Sequence, residues 1–291
     1  GTRADWLDLS TGINPVAYPL PDLPHDVWSR LPDAALEQQA IIAARAYYGF
    51  DENAGIVTAP GTQALIQLYP HLAPPGNALV FGPTYEEHAQ ALGLAGRDVR
   101  YERSLSNLDD EDRIAVVVNP NNPDGKRIPA DALLFAAERL AGQGGLLVVD
   151  EAFADSDPSD SVAAHAGMEG LLVLKSFGKF FGLAGVRLGF AAGSEEATGA
   201  LQAMLGPWAV SGPALSVAAH AYRNEAWINE TRRRISSDRK ALDSVLTGAG
   251  LQVLGATDLF VLARHFQAQH IWRELAARHI LVRKFEYQQD W

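Results

Sequence analysis

The sequence predicts an α/β protein with three layers, in which helices cover both faces of a mostly parallel sheet. Three apolar runs support this prediction. Each holds four or five consecutive residues drawn from Val, Leu, Ile and Ala, at 114–118, 146–149 and 171–174. Runs of this length are typical of strands that are buried on both faces. A smaller α+β unit is predicted to follow towards the C-terminus.

The polar residues that follow two of these runs predict a site. Asp150 ends one run, Ser176 and Lys179 follow the next, and Arg187 comes a few residues later. Ligands in open α/β sheets bind beyond the carboxyl ends of the strands, so we expect these side chains to share one crevice. An acid, a lysine and an arginine are costly to bury together unless a ligand or mutual pairing satisfies them. For any one of them, a structural ion pair is the alternative interpretation.

Composition bounds the class of protein. The chain has 291 residues, of which 47% are hydrophobic, no cysteine and a formal net charge of −11. The length suits one large and one smaller domain. The lack of cysteine excludes disulfides and thiolate nucleophiles and fits a cytoplasmic protein, and the scattered histidines predict no metal site. The acidic balance argues against a nucleic-acid partner, and no apolar run is long enough for a membrane span.

Three parts of the chain are predicted: an N-terminal arm at 1–33, a large domain at 34–208 and a small domain at 209–291. The arm is rich in Pro, Asp and Leu, which indicates an extended segment with turns. Apolar residues at helical spacing predict a helix over 35–48, which Gly49 is placed to end. No signal peptide is recognisable, and the first and last residues lead us to expect incomplete ends.

Two segments of the large domain begin a helix soon after a short strand. Gly61 and Thr62 follow a strand at 56–58, and the backbone N–H groups of such a helix start can hold an anion. An ordinary Thr cap is the alternative. Tyr85 follows a strand at 79–81, at the sheet edge, where an aromatic ring can cover a flat ligand. Plain packing is the alternative for this residue.

A stiff turn follows the strand at 114–118. It reads Asn119-Pro120-Asn121-Asn122-Pro123-Asp124-Gly125, and its two Asn-Pro pairs force a rigid conformation. Such a turn can fix one Asn side chain against a ligand. A plain turn is the alternative, although three Asn residues exceed what a turn needs.

The pattern changes after residue 193. Helices are predicted over 195–246, and Arg232 to Arg234 are expected on a solvated face of the long helix. The small domain is expected to contain strands at 260–262 and 280–282, with a helix at 270–278 between them.

Taken in order, these pieces resemble the fold-type-I enzymes that depend on pyridoxal phosphate (PLP), the aspartate-aminotransferase superfamily. The resemblance extends from about Asp8 to Trp291. The arm and the tracts around Asp150 and Lys179 are most similar to the branch that holds histidinol-phosphate aminotransferase and the L-threonine-O-3-phosphate decarboxylase of cobalamin biosynthesis. The matching pieces are Gly61-Thr62-Gln63, Tyr85, the Asn122 turn, Asp150 to Phe153, Ser176 to Lys179, and Arg187.

The resemblance implies a role for each residue. Lys179 would form a Schiff base with the PLP aldehyde and later move protons, which requires a pKa below the usual value of about 10.4. Asp150 would pair with the pyridine nitrogen, and the ring would then absorb electrons from the bond broken at Cα. Asn122 would bind the ring oxygen, and Tyr85 would stack on the ring. The residues implied at the cofactor phosphate are Gly61, Thr62, Ser176 and Arg187, with Gln63 beside them.

Four features depart from the family's pattern. Phe153 stands where aminotransferases of this group commonly have a Tyr that reaches the ring oxygen, so the Schiff-base pKa is expected to rise. Gly178 replaces a frequent phosphate-binding Ser, and Leu31 replaces a Tyr that reaches the partner subunit's cofactor. The Arg that binds the substrate carboxylate in the family would lie past Trp291. The expected substrate-side groups are Arg283, which matches the family's other Arg, and Gly12 and Asn14 of the arm.

The motifs favour decarboxylation of L-threonine O-3-phosphate to (R)-1-amino-2-propanol O-2-phosphate. Transamination of histidinol phosphate or a similar amino acid is the alternative, in which Lys179 removes the Cα proton. Two non-enzyme interpretations stay open. One is a ligand-sensing domain of a transcriptional regulator, for which no DNA-binding helix pair is recognisable; the other is an inactive, truncated chain. The resemblance also implies a homodimer.

Overall fold

The computed structural model describes residues 2–291, apart from the side chain of Arg3. The first residue, Gly1, on which the expectation of an incomplete N-terminal end rests, lies outside the described residues. The apolar runs predicted as strands and the helix predicted over 35–48 all form, which confirms the α/β class. The helices are α1 (Asp26–Ser29), α2 (Ala34–Tyr48), α3 (Thr62–Leu68), α4 (Glu87–Leu94), α5 (Ala130–Ala141), α6 (Phe177–Phe180), α7 (Glu195–Leu205), α8 (Gly212–Ala221), α9 (Glu225–Gly248) and α10 (Ala268–Ala277). The strands are β1 (Leu7–Leu9), β2 (Gly55–Ala59), β3 (Asn77–Phe81), β4 (Val99–Glu102), β5 (Asp112–Val118), β6 (Leu146–Asp150), β7 (Leu171–Ser176), β8 (Gly189–Gly193), β9 (Gln252–Thr257), β10 (Phe260–Arg264) and β11 (Ile280–Val282).

The central sheet has seven strands in the order β2-β8-β7-β6-β5-β3-β4. Strand β8 runs antiparallel to both of its neighbours, and the other neighbouring pairs are parallel. Every residue of β6 and β7 is buried, as expected for strands covered on both faces. Asp150 pairs in register with Leu174, so the carboxyl ends of these two strands lie side by side.

Helices cover both faces of this sheet. Successive residues of a strand point to opposite faces. Accordingly, Val117 and Val149 pack in one apolar cluster with α5, whereas Val116 and Val148 pack in another with α3 and α4. A third cluster joins α2, α8 and α9 to the aromatic residues of α6. The predicted three-layer architecture is confirmed, and the third cluster anchors the short helix that carries Lys179.

The arm differs from the extended segment that its composition predicts. Strand β1 pairs in parallel with β11, with Leu9 opposite Val282, and α1 adds a single helical turn. Strand β9, which pairs antiparallel with β10, is also missing from the sequence-based prediction. The residues of β1 are exposed and those of β9 mostly half-buried, so neither has the continuous apolar pattern of a buried strand. The domain bounds at 33 and 208 stay predictions.

Candidate active site

Asp150, Lys179 and Arg187 share one electrostatic environment at the carboxyl edge of the sheet. Asp150 is the last residue of β6, and Lys179 lies in α6, directly after β7. Burial lowers the pKa of the Lys179 ammonium below its ordinary value, the negative charge of Asp150 raises it, and the positive charge of Arg187 lowers it. The structure thus brings these three residues together, as the sequence predicts, and burial favours the neutral amine.

Asp150 is held by a histidine that the sequence analysis missed. His88 Nε2 lies 3.1 Å from Asp150 Oδ2, and His88 Nδ1 lies 3.1 Å from the hydroxyl of Tyr69. A neutral imidazole that donates to the carboxylate from Nε2 accepts the Tyr69 hydroxyl at Nδ1. The backbone N–H of Ala152 donates to the other carboxylate oxygen at 2.9 Å. The carboxylate is therefore fixed before any ligand binds. The only signal in the sequence was the position of His88, three residues after Tyr85.

An aromatic wall lies beneath the Lys179 amine. Lys179 Nζ lies 5.5 Å from the centre of the Phe153 ring, and that ring packs edge-to-face on Phe260 at 4.9 Å. Gly12 fits closely against both rings, because a Cβ at this position would lie 2.8 Å from Phe153 and 3.1 Å from Phe260. The structure therefore places Gly12 at the wall of the site. A role for Gly12 in contacting substrate stays a prediction.

Asn14 is buried beneath Lys179 and is committed to protein groups. Its backbone N–H donates to Lys179 O at 3.0 Å, and its Nδ2 donates to Phe180 O at 2.8 Å. Its Oδ1 accepts from Val16 N at 3.0 Å and from Arg234 Nη2 at 3.0 Å. These bonds give Asn14 a position under the amine-bearing helix, and direct contact with substrate stays a prediction.

The expectation that Arg232 and Arg234 lie on a solvated face of α9 is wrong. Arg232 Nε donates to Asp155 O at 2.8 Å, and Arg234 binds Asn14. Both flank the buried stripe of α9, so their long side chains reach protein groups beside it. Only Arg233, the middle member of the three, is solvated as expected, with a side chain that is 76% exposed.

A pocket for an anion is indicated at the start of α3. Gly61 adopts a left-handed conformation, with φ of +84°, and a Cβ there would lie 2.6 Å from Arg187 Nη2. The guanidinium thus lies directly against the Gly61 backbone, a place that only glycine allows. Ser176 is 8% exposed, and neither its hydroxyl nor that of Thr62 has a hydrogen-bond partner among the described residues. These groups can hold a phosphate.

The Asn-rich turn after β5 leaves one amide free. The Asn119 side chain bonds Ile128 N and O, and the Asn121 side chain bonds Thr84, Pro83 and Asp124. Asn122 is half-buried, and its side chain makes no hydrogen bond within the described residues. The first two amides hold the turn, so Asn122 is the member available to a ligand, as the resemblance implies.

Tyr85 lies at the mouth of the site and is 38% exposed. Its hydroxyl donates to Gln63 Oε1 at 3.3 Å, and Gln63 Nε2 donates to Glu87 at 2.7 Å, so the Gln63 side chain is occupied by protein groups. Burial and the charges of Glu87 and Asp150 raise the pKa of Tyr85, whereas the charges of Arg283 and Arg187 lower it. Arg283 is exposed and follows β11 directly. Because its charge acts on Tyr85, it lies near the residues that the resemblance assigns to the cofactor.

Most of the chain matches a known family. The model of the aminotransferase class I and II family matches residues 18–290. The chain belongs to this family. Within it, the chain is 45% identical to a threonine-phosphate decarboxylase of Sinorhizobium sp over 100% of this chain and 87% of that protein. It is 42% identical to a threonine-phosphate decarboxylase of Pseudomonas aeruginosa over 97% of this chain and 85% of that protein.

A solved structure of an aminotransferase shares the fold. The histidinol-phosphate aminotransferase from Sinorhizobium meliloti, in complex with pyridoxal-5'-phosphate, superposes with a TM-score of 0.78 at 20% identity, over 95% of this chain and 82% of that chain. At this identity the likeness bears on the fold alone. It confirms that the family's architecture extends over nearly the whole chain.

Within residues 2–291, no helix combines the length and the apolar character that a bilayer crossing requires. No cluster of three or more His, Asp or Glu side chains there is arranged to hold a metal ion.

Proposed function

We propose that this protein is a PLP-dependent decarboxylase of L-threonine O-3-phosphate, which releases CO2 and (R)-1-amino-2-propanol O-2-phosphate for cobalamin biosynthesis. The observation that carries this proposal is the 45% identity, over the full length of the chain, to a threonine-phosphate decarboxylase. The site supports it, because an acid, a half-buried lysine and an arginine lie at or just beyond the carboxyl ends of the central strands.

The side chains of the site fit PLP. Four polar groups there have no hydrogen-bond partner among the described residues: the Asn122 amide, the hydroxyls of Thr62 and Ser176, and the Lys179 amine. A phosphorylated pyridine aldehyde has matching needs. Its phosphate suits Ser176, Thr62 and the Arg187 guanidinium, its ring oxygen suits Asn122, and its aldehyde suits Lys179. Its protonated ring nitrogen suits the carboxylate of Asp150.

PLP, when bound, supplies a ring that accepts the electrons of a bond broken at Cα. The residues of this chain then divide the remaining work. Asp150, oriented by His88, would keep the ring nitrogen protonated, because a carboxylate held beside that nitrogen favours the nitrogen's charged form. Lys179 Nζ would deliver a proton to Cα after CO2 has left. The burial that lowers the Lys179 pKa suits an amine that must both lose and regain a proton.

The substrate's anionic groups require a cation on the open side of the site. Arg283 is exposed, and its charge lowers the pKa of Tyr85, which supports a position near the mouth of the crevice. Its side chain has no ion-pair partner among the described residues. We propose that Arg283 binds an anionic group of the substrate, and that Gly12 and Asn14 shape the floor beneath it.

The test is an assay with purified protein, PLP and L-threonine O-3-phosphate. We expect CO2 and the amino-alcohol phosphate in equal amounts, without any 2-oxoglutarate, and no turnover by Lys179→Ala. Arg283→Ala is expected to raise KM more than it lowers kcat, because it removes binding of the substrate before reaction. Glutamate formation from 2-oxoglutarate with histidinol phosphate, and no CO2, would instead identify an aminotransferase and reject this proposal.

We further propose a cytoplasmic homodimer. Three apolar side chains of the N-terminal segment, Leu20, Trp28 and Leu31, are 65–67% exposed, which is unusual for so many large apolar groups close together in sequence. Burial against a second copy would remove them from water. Sedimentation equilibrium measures the mass in solution: the proposal expects twice the chain mass, and a shift towards monomer for Trp28→Glu. A monomer at micromolar concentration would refute it.

A further inference from the structure

We propose that Arg234 is a positioning residue for Lys179 and that it acts through Asn14. The proposal rests on the proposed role of Lys179 as the amine that takes up PLP. It concerns a residue of the long helix α9, outside the strand ends and loops that form the crevice. The inference is that the buried Asn14 side chain couples the position of α9 to the position of the Lys179 amine.

The short helix that carries Lys179 depends on contacts from outside the helix for its position. Helix α6 has four residues, Phe177–Phe180, and so forms about one turn. The carbonyls at the end of a helix have no partner within it. Lys179 O accepts from Gly182 N at 3.2 Å and from the backbone N–H of Asn14 at 3.0 Å, and Phe180 O accepts from the side-chain Nδ2 of Asn14 at 2.8 Å. The arm thus fixes the backbone from which the Lys179 side chain extends.

The orientation of the Asn14 amide depends on Arg234. An amide has one donor end and one acceptor end, and a reversed side chain would turn its oxygen towards the Phe180 carbonyl. Arg234 Nη2 donates to Oδ1 at 3.0 Å, and Val16 N donates to the same oxygen at 3.0 Å. Hydrogen bonds from a charged donor are roughly twice as strong as neutral ones. Asn14 is only 2% exposed, so water does not compete for these positions.

Helix α9 presents Arg234 to the arm and turns its neighbour away. Arg234 follows the buried Thr231 by three residues, so the two lie on adjoining parts of the helix surface. The Arg234 side chain is 28% exposed and is supported by Asp238, one turn later, at 3.6 Å. The Arg233 side chain is 76% exposed and pairs weakly with Glu230 at 3.8 Å. Arg233→Ala is therefore a matched control on the same helix.

The experiment measures Lys179 itself, in the absence of substrate. The full chain is mixed with PLP, the link to lysine is trapped with borohydride at set times, and the adduct at Lys179 is quantified by mass spectrometry. Arg234→Ala is expected to slow the formation of this adduct about 10- to 100-fold, the scale of effect that displacement of a reacting group by about 1 Å produces. Arg233→Ala is expected to match the wild type, and Arg234→Lys to recover part of the loss.

A double-variant comparison tests the route through Asn14. If Arg234 acts only by orienting that amide, Arg234→Ala adds no further loss in an Asn14→Ala background, because contacting residues are not additive. Asn14→Asp keeps an acceptor for Arg234, and would form an ion pair with it, but removes the donor to Phe180 O. It should therefore slow adduct formation even though the contact with Arg234 is kept. Thermal unfolding of each variant identifies any that fails to fold. If Asn14→Ala or Arg234→Ala fails to fold, Asn14→Asp or Arg234→Lys takes its place in the comparison.

Two results overturn the inference: wild-type adduct formation by Arg234→Ala, or full additivity of the two single losses. Failure of the proposed function has a different signature, namely no PLP adduct at Lys179 of the wild-type chain. The positioning role is then read from the cofactor-free protein, by the extent to which a short pulse of acetic anhydride labels Lys179. Equal labelling in Arg234→Ala and Arg233→Ala rejects the positioning role there too.

Discussion

His88 Nε2 lies 3.1 Å from Asp150 Oδ2, and both residues are buried. This hydrogen bond joins the last residue of a central strand to helix α4, and the Tyr69 hydroxyl extends it on the other side of the imidazole. Hydrogen-bonded networks in a low-dielectric interior hold their members in one arrangement. The carboxylate that would face the cofactor ring is thereby kept in place.

His88→Ala is expected to lower kcat/KM roughly 10- to 100-fold, the loss typical when a partner that orients a functional ligand is removed. The cause is a carboxylate that is free to rotate away from the ring nitrogen. Steady-state assays give kcat/KM, and absorbance titration gives the PLP dissociation constant. Tyr69→Phe removes only the outer bond and should cost less, and His71→Ala, on an exposed residue, should cost nothing. Equal activity of His88→Ala and wild type would show that Asp150 needs no such support.

The three asparagines after β5 should separate into two classes. Asn121→Ala breaks bonds to Thr84, Pro83 and Asp124 and is expected to lower the free energy of unfolding by about 1–3 kcal/mol. Asn122→Ala breaks no side-chain hydrogen bond to any described residue, so its effect on unfolding should stay within about 0.5 kcal/mol, while its affinity for PLP should fall. Urea unfolding and PLP titration of both variants make the comparison. The interpretation fails if Asn122→Ala destabilises the fold and binds PLP normally.

The parts predictable from sequence are those whose signal is local. Strands β5, β6 and β7 are continuous apolar runs, and the position of Asp150 at a strand end follows from the chain order alone. His88 was not predictable, because its link to Asp150 spans 62 residues and depends on how α4 packs on the sheet. Arg232 and Arg234 were misjudged for a related reason. A polar residue beside a buried helical stripe looks solvated until the neighbouring segment is known.

The buried carboxyl of Asp155 should make stability depend on pH. Burial raises its pKa from 3.8 to about 6, against the opposing influence of Lys175, the Tyr47 hydroxyl and Arg232. The Tyr47 hydroxyl lowers this pKa, but neither carboxylate oxygen has a hydrogen bond of ordinary geometry. The folded state therefore binds the proton more tightly than the unfolded state. The stabilisation is complete below about 3.8 and is lost as the pH rises through about 6.

Asp155→Asn stays neutral at every pH and removes this dependence. At pH 8 the variant is expected to be more stable than wild type by up to about 3 kcal/mol, since each pKa unit corresponds to about 1.36 kcal/mol. The advantage should shrink as the pH falls through about 6 and disappear below about pH 3, where Asp155 is largely protonated in both states. Denaturant unfolding of both proteins at several pH values checks this. A constant difference between them across this range would mean that the Asp155 carboxyl does not titrate as described.

Gly61 should tolerate no side chain. Its φ of +84° with ψ of 158° lies in a region that is essentially reserved for glycine and costs other residues about 1–3 kcal/mol. A Cβ would also lie 2.6 Å from Arg187 Nη2 and force the guanidinium away from the pocket at the start of α3. Gly61→Ala is therefore expected to lower stability by about this amount and, in addition, to weaken PLP binding by at least about tenfold, which corresponds to about 1.4 kcal/mol.

Gly199→Ala is the matched control for this substitution. Gly199 lies inside α7, and a Cβ there would meet nothing within 4 Å. Alanine favours a helix over glycine by up to about 1 kcal/mol, so this variant should be slightly more stable and bind PLP normally. Differential scanning calorimetry and PLP titration compare the two. The opposing outcome is a Gly61→Ala variant that loses stability but keeps full affinity for PLP. Arg187 would then hold the phosphate independently of the Gly61 backbone, and the close packing of these two residues would have no part in binding.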